Sequence, residues 1–179
     1  GALKCGKCLQ ARYCSRECQT KDWKARHKAA CGRDAGMAQL DPGHFLSAMA
    51  SGQTSSWYLG LKRKRVYERL WMSFQMRVED EYVFNGDMVG AYNVACGGGS
   101  KATTRAEFCR YVGLAKSKGL MPPDWRSSDD RELLKGAEDN IHFAIEKSDI
   151  VEKFGYSSME HVVLRSMAKQ IIGPFGAWV

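Results

Sequence analysis

Apolar residues recur at helical spacing through most of the chain after residue 56. The longest such segment spans residues 62–83, and its repeating apolar positions are Val66, Leu70, Phe74 and Val78. Residues four apart lie on one face of an α-helix, and the charged residues Glu68, Arg69 and Arg77 lie between them. The pattern predicts a long core helix with one apolar stripe and a solvated basic first turn.

Capping signals predict where two shorter helices begin. Thr104 and Glu107 have the spacing of a capping box, in which each side chain accepts a hydrogen bond from an N–H group of the first turn. Ser157 and Glu160 have the same spacing at the start of the last helical segment, which Gly173 ends. We expect one helix to begin at each box.

Another helix is predicted between these two, beginning at Ser127 or Ser128. Its expected apolar stripe consists of Leu134, Ala137, Ile141 and Ile145. A short helix over residues 148–153 follows. Alternating strand patterns of useful length do not follow the cysteine-rich N-terminus, so the sequence predicts a mainly α-helical domain over residues 57–179.

Residues 33–56 are predicted to be a linker. Asp-Pro-Gly at positions 41–43 and Gly-Gln-Thr-Ser-Ser at positions 52–56 are runs that break regular structure. The linker separates the helical domain from residues 1–32.

Residues 1–32 contain five of the seven cysteines and one of the four histidines. Three pairs have zinc-site spacing: Cys5 with Cys8, Cys14 with Cys18, and His27 with Cys31. A segment of about 30 residues cannot fold on its own apolar core, and zinc supplies about 10–16 kcal/mol in finger peptides. A disulfide framework is the alternative, but the odd number of cysteines and the spacing of the histidine favour zinc.

The run from Tyr13 to Trp23, followed by His27 and Cys31, resembles the second half of a MYND zinc finger. Such fingers carry four ligand pairs in a cross-brace, with pairs one and three on one zinc ion and pairs two and four on the other. The resemblance implies one complete zinc site in this chain, made of Cys5, Cys8, His27 and Cys31. It implies that Cys14 and Cys18 form half of a second site.

The first ligand pair of the family pattern is missing, because four residues precede Cys5. We expect a fragment whose full-length finger binds two zinc ions; a degenerate finger with one zinc is the alternative. The helix that carries His27 and Cys31 is expected to start at Thr20. Three residues separate Trp23 from His27 where the family usually has two, and one extra helical residue turns a side chain by about 100°.

The predicted fold is therefore a small zinc-stabilised cross-brace finger, with a short hairpin and helices, followed by a mainly α-helical domain. The helical part also resembles the C-terminal region of fungal MYND-finger proteins of unassigned function. The similar segments are residues 77–82, 121–125 and 145–150.

Charge is concentrated in the finger. The chain of 179 residues has a formal net charge of +7, and residues 1–36 hold nine Lys or Arg against three Asp or Glu. Basic residues can contact nucleic-acid phosphates, and they also stabilise zinc-bound thiolates. No run of 18 apolar residues predicts a membrane span.

The resemblance implies that the finger docks proline-containing peptides. In the family a Gln and a Trp four residues apart line the groove, and Gln19 and Trp23 match them. The segment from Leu9 to Tyr13 would offer a strand edge for the peptide. We predict an intracellular adaptor or regulator, nuclear or cytoplasmic, whose partner is a protein or a proline-containing peptide.

Two other functions remain as alternatives. The basic finger could bind nucleic acid, and a lysine methyltransferase is possible because MYND fingers also occur inserted in SET domains. The SET signature places a histidine in Asn-His-Ser-Cys, and no histidine here has that context. His142 and His161 also lack a nearby candidate nucleophile, so we predict that the protein is not an enzyme.

Overall fold

The computed structural model describes residues 3–4, 12–27 and 57–178. The chain divides into two compact units, Gly1–Leu40 and Asp41–Val179. Each unit is treated by itself below.

The described part of the first unit contains two short strands and one helix. Strand β1 (Leu3–Lys4) pairs with β2 (Arg12–Tyr13) in an antiparallel sheet, with Leu3 opposite Tyr13. Helix α1 (Arg16–Asp22) follows, and it continues into a π-helical turn (Trp23–His27). The antiparallel pair agrees with the predicted hairpin.

Residues 57–178 form a helical domain, as the sequence predicts. Its α-helices are α2 (Arg63–Asn85), α3 (Gly90–Ala95), α4 (Lys101–Ser117), α5 (Ser127–Ala137), α6 (Lys147–Phe154) and α7 (Glu160–Ile172). A short 3-10 turn, Tyr156–Ser158, connects α6 to α7. The helical candidates are confirmed, and α3 was not predicted.

Helix α2 is the centre of this domain. Its predicted stripe is buried in the main apolar cluster, together with Phe108, Tyr111 and Ile171 from other helices. The prediction of a single apolar stripe was nevertheless wrong, because Met72 and Met76 form a second apolar cluster with Ile150 and Leu164. The helix is packed on two sides.

Buried charges on α2 are neutralised by ion pairs. Arg69 pairs with Glu160 of α7 at 2.6 Å, and Asp80 accepts hydrogen bonds from Arg165 of α7 at 2.7–3.1 Å. Such charges are tolerated in a core because each has a partner. The predicted solvated first turn is also only half right, because Arg65 bonds Glu160 and Glu68.

Neither predicted capping box forms. Helix α4 begins three residues before Thr104, because Ser100 accepts from the Thr103 N–H and Thr103 accepts from the Ser100 N–H. The Glu107 carboxylate instead accepts from the N–H of Gly90, at 2.8 Å.

The second box fails because Ser157 lies within the 3-10 turn before α7. The carboxylate of Glu160, the predicted partner of Ser157, instead accepts hydrogen bonds from the guanidinium groups of Arg65 and Arg69. The apolar positions predicted on the helix, which are Val163, Met167 and Ile171, are buried.

Helix α5 is shorter than its predicted stripe. Arg126 caps it through the Asp129 carboxylate, which accepts from the Arg126 N–H at 2.7 Å, so the prediction of a serine cap was wrong. Leu133 rather than Leu134 is fully buried. Ile141 and Ile145 lie beyond the end of the helix at Ala137.

In the described residues, no helix has the length and apolarity needed to cross a membrane.

Candidate metal centre and peptide-binding surface

Helix α1 begins at a serine cap. Ser15 has an extended backbone, with φ −150° and ψ 170°, and its Oγ accepts from the N–H of Cys18 at 3.2 Å. The predicted cap, Thr20, lies inside the helix, where its hydroxyl donates to the carbonyl of Arg16 at 2.9 Å. That prediction was wrong because Ser15 already satisfies a first-turn N–H group.

The serine cap brings two predicted ligands together. Cys14 precedes the cap and Cys18 lies in the first turn, and their sulphur atoms are 3.0 Å apart. Both side chains are exposed and neither forms a disulfide. Two thiolates that bind one tetrahedral zinc ion at about 2.3 Å lie about 3.8 Å apart, so the two sulphur atoms would have to separate by a fraction of an ångström to bind one ion together.

The two thiols differ in acidity. The pKa of Cys18 is lowered mainly because its sulphur accepts a hydrogen bond from Cys14. A hydrogen bond with the side chain of Ser15 lowers it further. The pKa of Cys14 is raised, because it donates that hydrogen bond and because a charge on Cys18 repels its own. Zinc binds the thiolate, so Cys18 is the more readily ionised of the two candidate ligands.

The remaining predicted ligands are not brought together by the structure. Cys5, Cys8 and Cys31 lie outside the described residues, and His27 is described by its backbone, which ends the π-helical turn. Within the described ranges, no group of three or more ligand side chains could hold a metal. Bound at these six positions, zinc would supply structural cross-links between segments too small to fold alone.

Strand β2 is fastened to the end of α1. The hydroxyl of Tyr13 donates to the Asp22 carboxylate at 2.9 Å, and the Tyr13 side chain is buried. Asp22 directly precedes Trp23. The bond therefore joins the strand to the end of α1, one residue before Trp23.

Gln19 and Trp23 lie one turn apart on the helix. Both side chains are half-buried, and the N–H of Trp23 donates to the carbonyl of Gln19. From Trp23 onward the helix widens to a π turn, which closes hydrogen bonds five residues apart instead of four. The extra residue before His27 is thus absorbed in a wider turn, not in a uniform rotation of the tryptophan.

Sequence reasoning missed Ser15, Tyr13 and Asp22 as supporting residues. Ser15 had a usable signal, because a serine before an acidic first turn, here Glu17, is typical of an N-cap. The bond from Tyr13 to Asp22 had none, since it joins a strand to a helix nine residues away.

A family model described as "MYND finger" matches residues 1–31. Programmed cell death protein 2 of Mus musculus is 43% identical over 42 residues, which cover 24% of this chain and 12% of that protein. The Bos taurus protein of the same name is 39% identical over 44 residues, covering 25% and 13%.

A plant protein is also similar over a short segment. Ubiquitin carboxyl-terminal hydrolase 19 of Arabidopsis thaliana is 57% identical over 28 residues, which cover 16% of this chain and 4% of that protein. The chain thus spans a small fraction of the length of these relatives. No solved structure matches it. The chain carries an N-terminal MYND zinc finger, a zinc-binding module of the kind that mediates protein–protein interactions.

Proposed function

We propose that the finger docks proline-containing segments of a protein partner and that the chain acts as an adaptor or regulator. The observation that carries the proposal is the bond from Tyr13 to Asp22, which holds a strand beside the turn that presents Trp23. An extended peptide needs both a strand to pair with and an apolar wall for its proline rings.

Each part of the surface has a role in this proposal. Strand β2 offers backbone groups, Gln19 offers a side-chain amide, and Trp23 offers the apolar wall. Zinc at Cys14 and Cys18 would anchor the start of α1, and zinc at Cys5, Cys8, His27 and Cys31 would anchor the rest of the finger. The function requires no catalysis, and we place it inside the cell, in the nucleus or cytoplasm.

Replacement of the tryptophan tests the proposal. Trp23→Ala in the zinc-loaded chain should weaken binding to an array of ten-residue proline-containing peptides by about tenfold or more, because an aromatic anchor is lost. Binding should change little between low and high salt. Zinc content, measured on the same samples, should stay at the wild-type value.

The comparison variant removes charge in place of the apolar wall. Lys21, Lys24 and Arg26 changed together to Gln should leave peptide binding within about twofold of wild type. If that variant loses its partner while Trp23→Ala keeps it, and if binding falls steeply with salt, the finger contacts phosphates and the groove proposal is wrong.

A further inference from the structure

A cavity of about 400 Å³ lies in the helical domain, and its lining contains none of the residues used so far for zinc or peptide binding. Helices α2 and α7 and the segment after α7 line it. Cavities of about 300–1,000 Å³ are the size that holds small ligands or single anchoring side chains. The cavity is therefore a candidate binding site of its own.

One side of the cavity is apolar. The rings of Phe84 and Phe175 contact each other with centroids 5.6 Å apart, and the side chains are 62% and 48% exposed. Pro174 and Ala168 extend this wall. Large exposed rings beside a cavity mark a surface that can bury an apolar group of a partner.

The other side is cationic. Arg77, Arg165 and Lys169 line the cavity with a single carboxylate, Asp80. Asp80 is already occupied by Nε and Nη2 of Arg165, and neither Nη1 of Arg165 nor Nζ of Lys169 has a hydrogen-bond or ion-pair partner within residues 57–178. These donors are available for an added anion.

The apolar wall is fixed in place before any ligand binds. Arg77 donates to the carbonyls of Gly173 and Pro174 at 2.8 and 2.6 Å, and the N–H of Gly176 donates to Glu81 at 3.0 Å. Arg77 in turn pairs with Glu81 at 2.6 Å. A wall that is already ordered loses little conformational entropy on binding.

We propose that this cavity anchors a segment of a protein partner in which an aromatic side chain lies next to a carboxylate. The apolar wall receives the ring, and Lys169 and Arg165 receive the carboxylate. Because Arg77 is paired with Glu81 and Arg165 with Asp80, Lys169 supplies the positive charge of the lining that these pairs do not balance, and this charge favours an acidic segment. The phenylalanine rings disfavour a ligand made of charge alone. All residues that line this site belong to the helical domain.

The test uses the full zinc-loaded chain and a fluorescein-labelled peptide of sequence Gly-Ser-Glu-Phe-Glu-Ser-Gly. Fluorescence anisotropy should show saturable binding. Phe84→Ala should weaken it about tenfold, and Lys169→Glu should weaken it severalfold. Phe143→Ala, which removes a ring that is 66% exposed elsewhere in the domain, and Lys64→Glu are matched controls that should bind as wild type does.

Several outcomes would overturn the proposal. The first is that binding of the peptide does not saturate. The second is that Phe84→Ala and Lys169→Glu bind the peptide as tightly as the wild type does. The third is that peptides with Gln in place of Glu, or Ala in place of Phe, bind as tightly as the original peptide. If a single-stranded oligonucleotide displaces the labelled peptide, Lys169 and Arg165 bind phosphate groups and the proposed peptide site is wrong. Unfolding midpoints of the variants establish that they fold, and unchanged binding by Trp23→Ala would support a site independent of the finger.

Discussion

The two units of this chain obtain their stability in different ways. Helix α1 of the finger buries none of its seven residues, whereas α2 of the helical domain buries thirteen of 23. A finger of this size depends on zinc for its folding free energy, and the helical domain depends on packed side chains. One chain therefore contains a unit that a chelator should unfold and a unit that it should not.

Removal of zinc is expected to give the largest effect. Excess EDTA should unfold the finger completely, because metal-binding energy of about 10–16 kcal/mol is lost. The helical domain should keep its fold, since its main cluster is built from residues 57–178. Amide resonances in two-dimensional NMR spectra measure both units in one sample. Collapse of the resonances of the helical domain on chelation would contradict the comparison.

Removal of a buried aromatic ring should destabilise the helical domain and leave the finger unchanged, which is the opposite of the effect of zinc removal. Phe74 is fully buried against Phe108, Tyr111 and Trp178, so Phe74→Ala should destabilise the helical domain by about 3–5 kcal/mol. Urea unfolding measures this free energy. Zinc content should not change. Phe143→Ala removes an exposed ring from the same domain and should shift the free energy of unfolding by about 0.5 kcal/mol or less.

A smaller change tests how much the finger owes to contacts other than zinc. Tyr13→Phe removes the hydroxyl that donates to Asp22 and should cost about 0.5–1.5 kcal/mol in proline-peptide binding. Isothermal titration at fixed zinc measures this change. Tyr156→Phe, on an exposed ring of the helical domain, is the matched control. An unchanged affinity in Tyr13→Phe would show that the strand needs no tie to α1.

The smallest effect concerns acid stability of the helical domain. Burial raises the pKa of Asp129, but hydrogen bonds from Tyr67 and the Arg126 N–H and the charge of Arg63 outweigh it, so the net pKa lies below the ordinary value of 3.8. A depressed pKa stabilises the fold above pH 3.8, and this contribution is lost as the pH falls below it.

Asp129→Asn should therefore lower the melting temperature at neutral pH. Between about pH 5 and pH 2.5, the melting temperature of this variant should fall less than that of the wild type. Calorimetry across that range measures both values. Asp139→Asn, at an exposed position, should follow the wild-type profile. Parallel profiles for Asp129→Asn and wild type would contradict the assignment.

The sequence could predict whatever depends on local spacing. The buried stripe of α2 follows from fixed intervals along the chain and is confirmed by the main cluster. The MYND finger also follows from the spacing of the cysteines, and the family model matches it over residues 1–31. The start of α4 could not be read this way. Ser100 and Thr104 are both acceptable caps, and in the structure Ser100 is the cap because it exchanges hydrogen bonds with Thr103.

Long-range partners account for the rest. Asp80 lies in the interior although carboxylates are usually exposed, because Arg165, 85 residues later in the chain, pairs with it there. The π turn at Trp23–His27 was also beyond sequence spacing alone. A count of residues between Trp23 and His27 gives the length of that interval but not the width of the turn that contains it.

The buried position of Trp178 has a consequence for the order of events during synthesis. Its ring contacts Phe74 of α2 and Tyr111 of α4, so the main cluster closes only after position 178 has left the ribosome. The finger emerges more than 140 residues earlier and, at roughly 5–20 residues per second, has several seconds in which to acquire its metal. The nascent chain would therefore be metallated at one end while its larger domain is still an open set of helices.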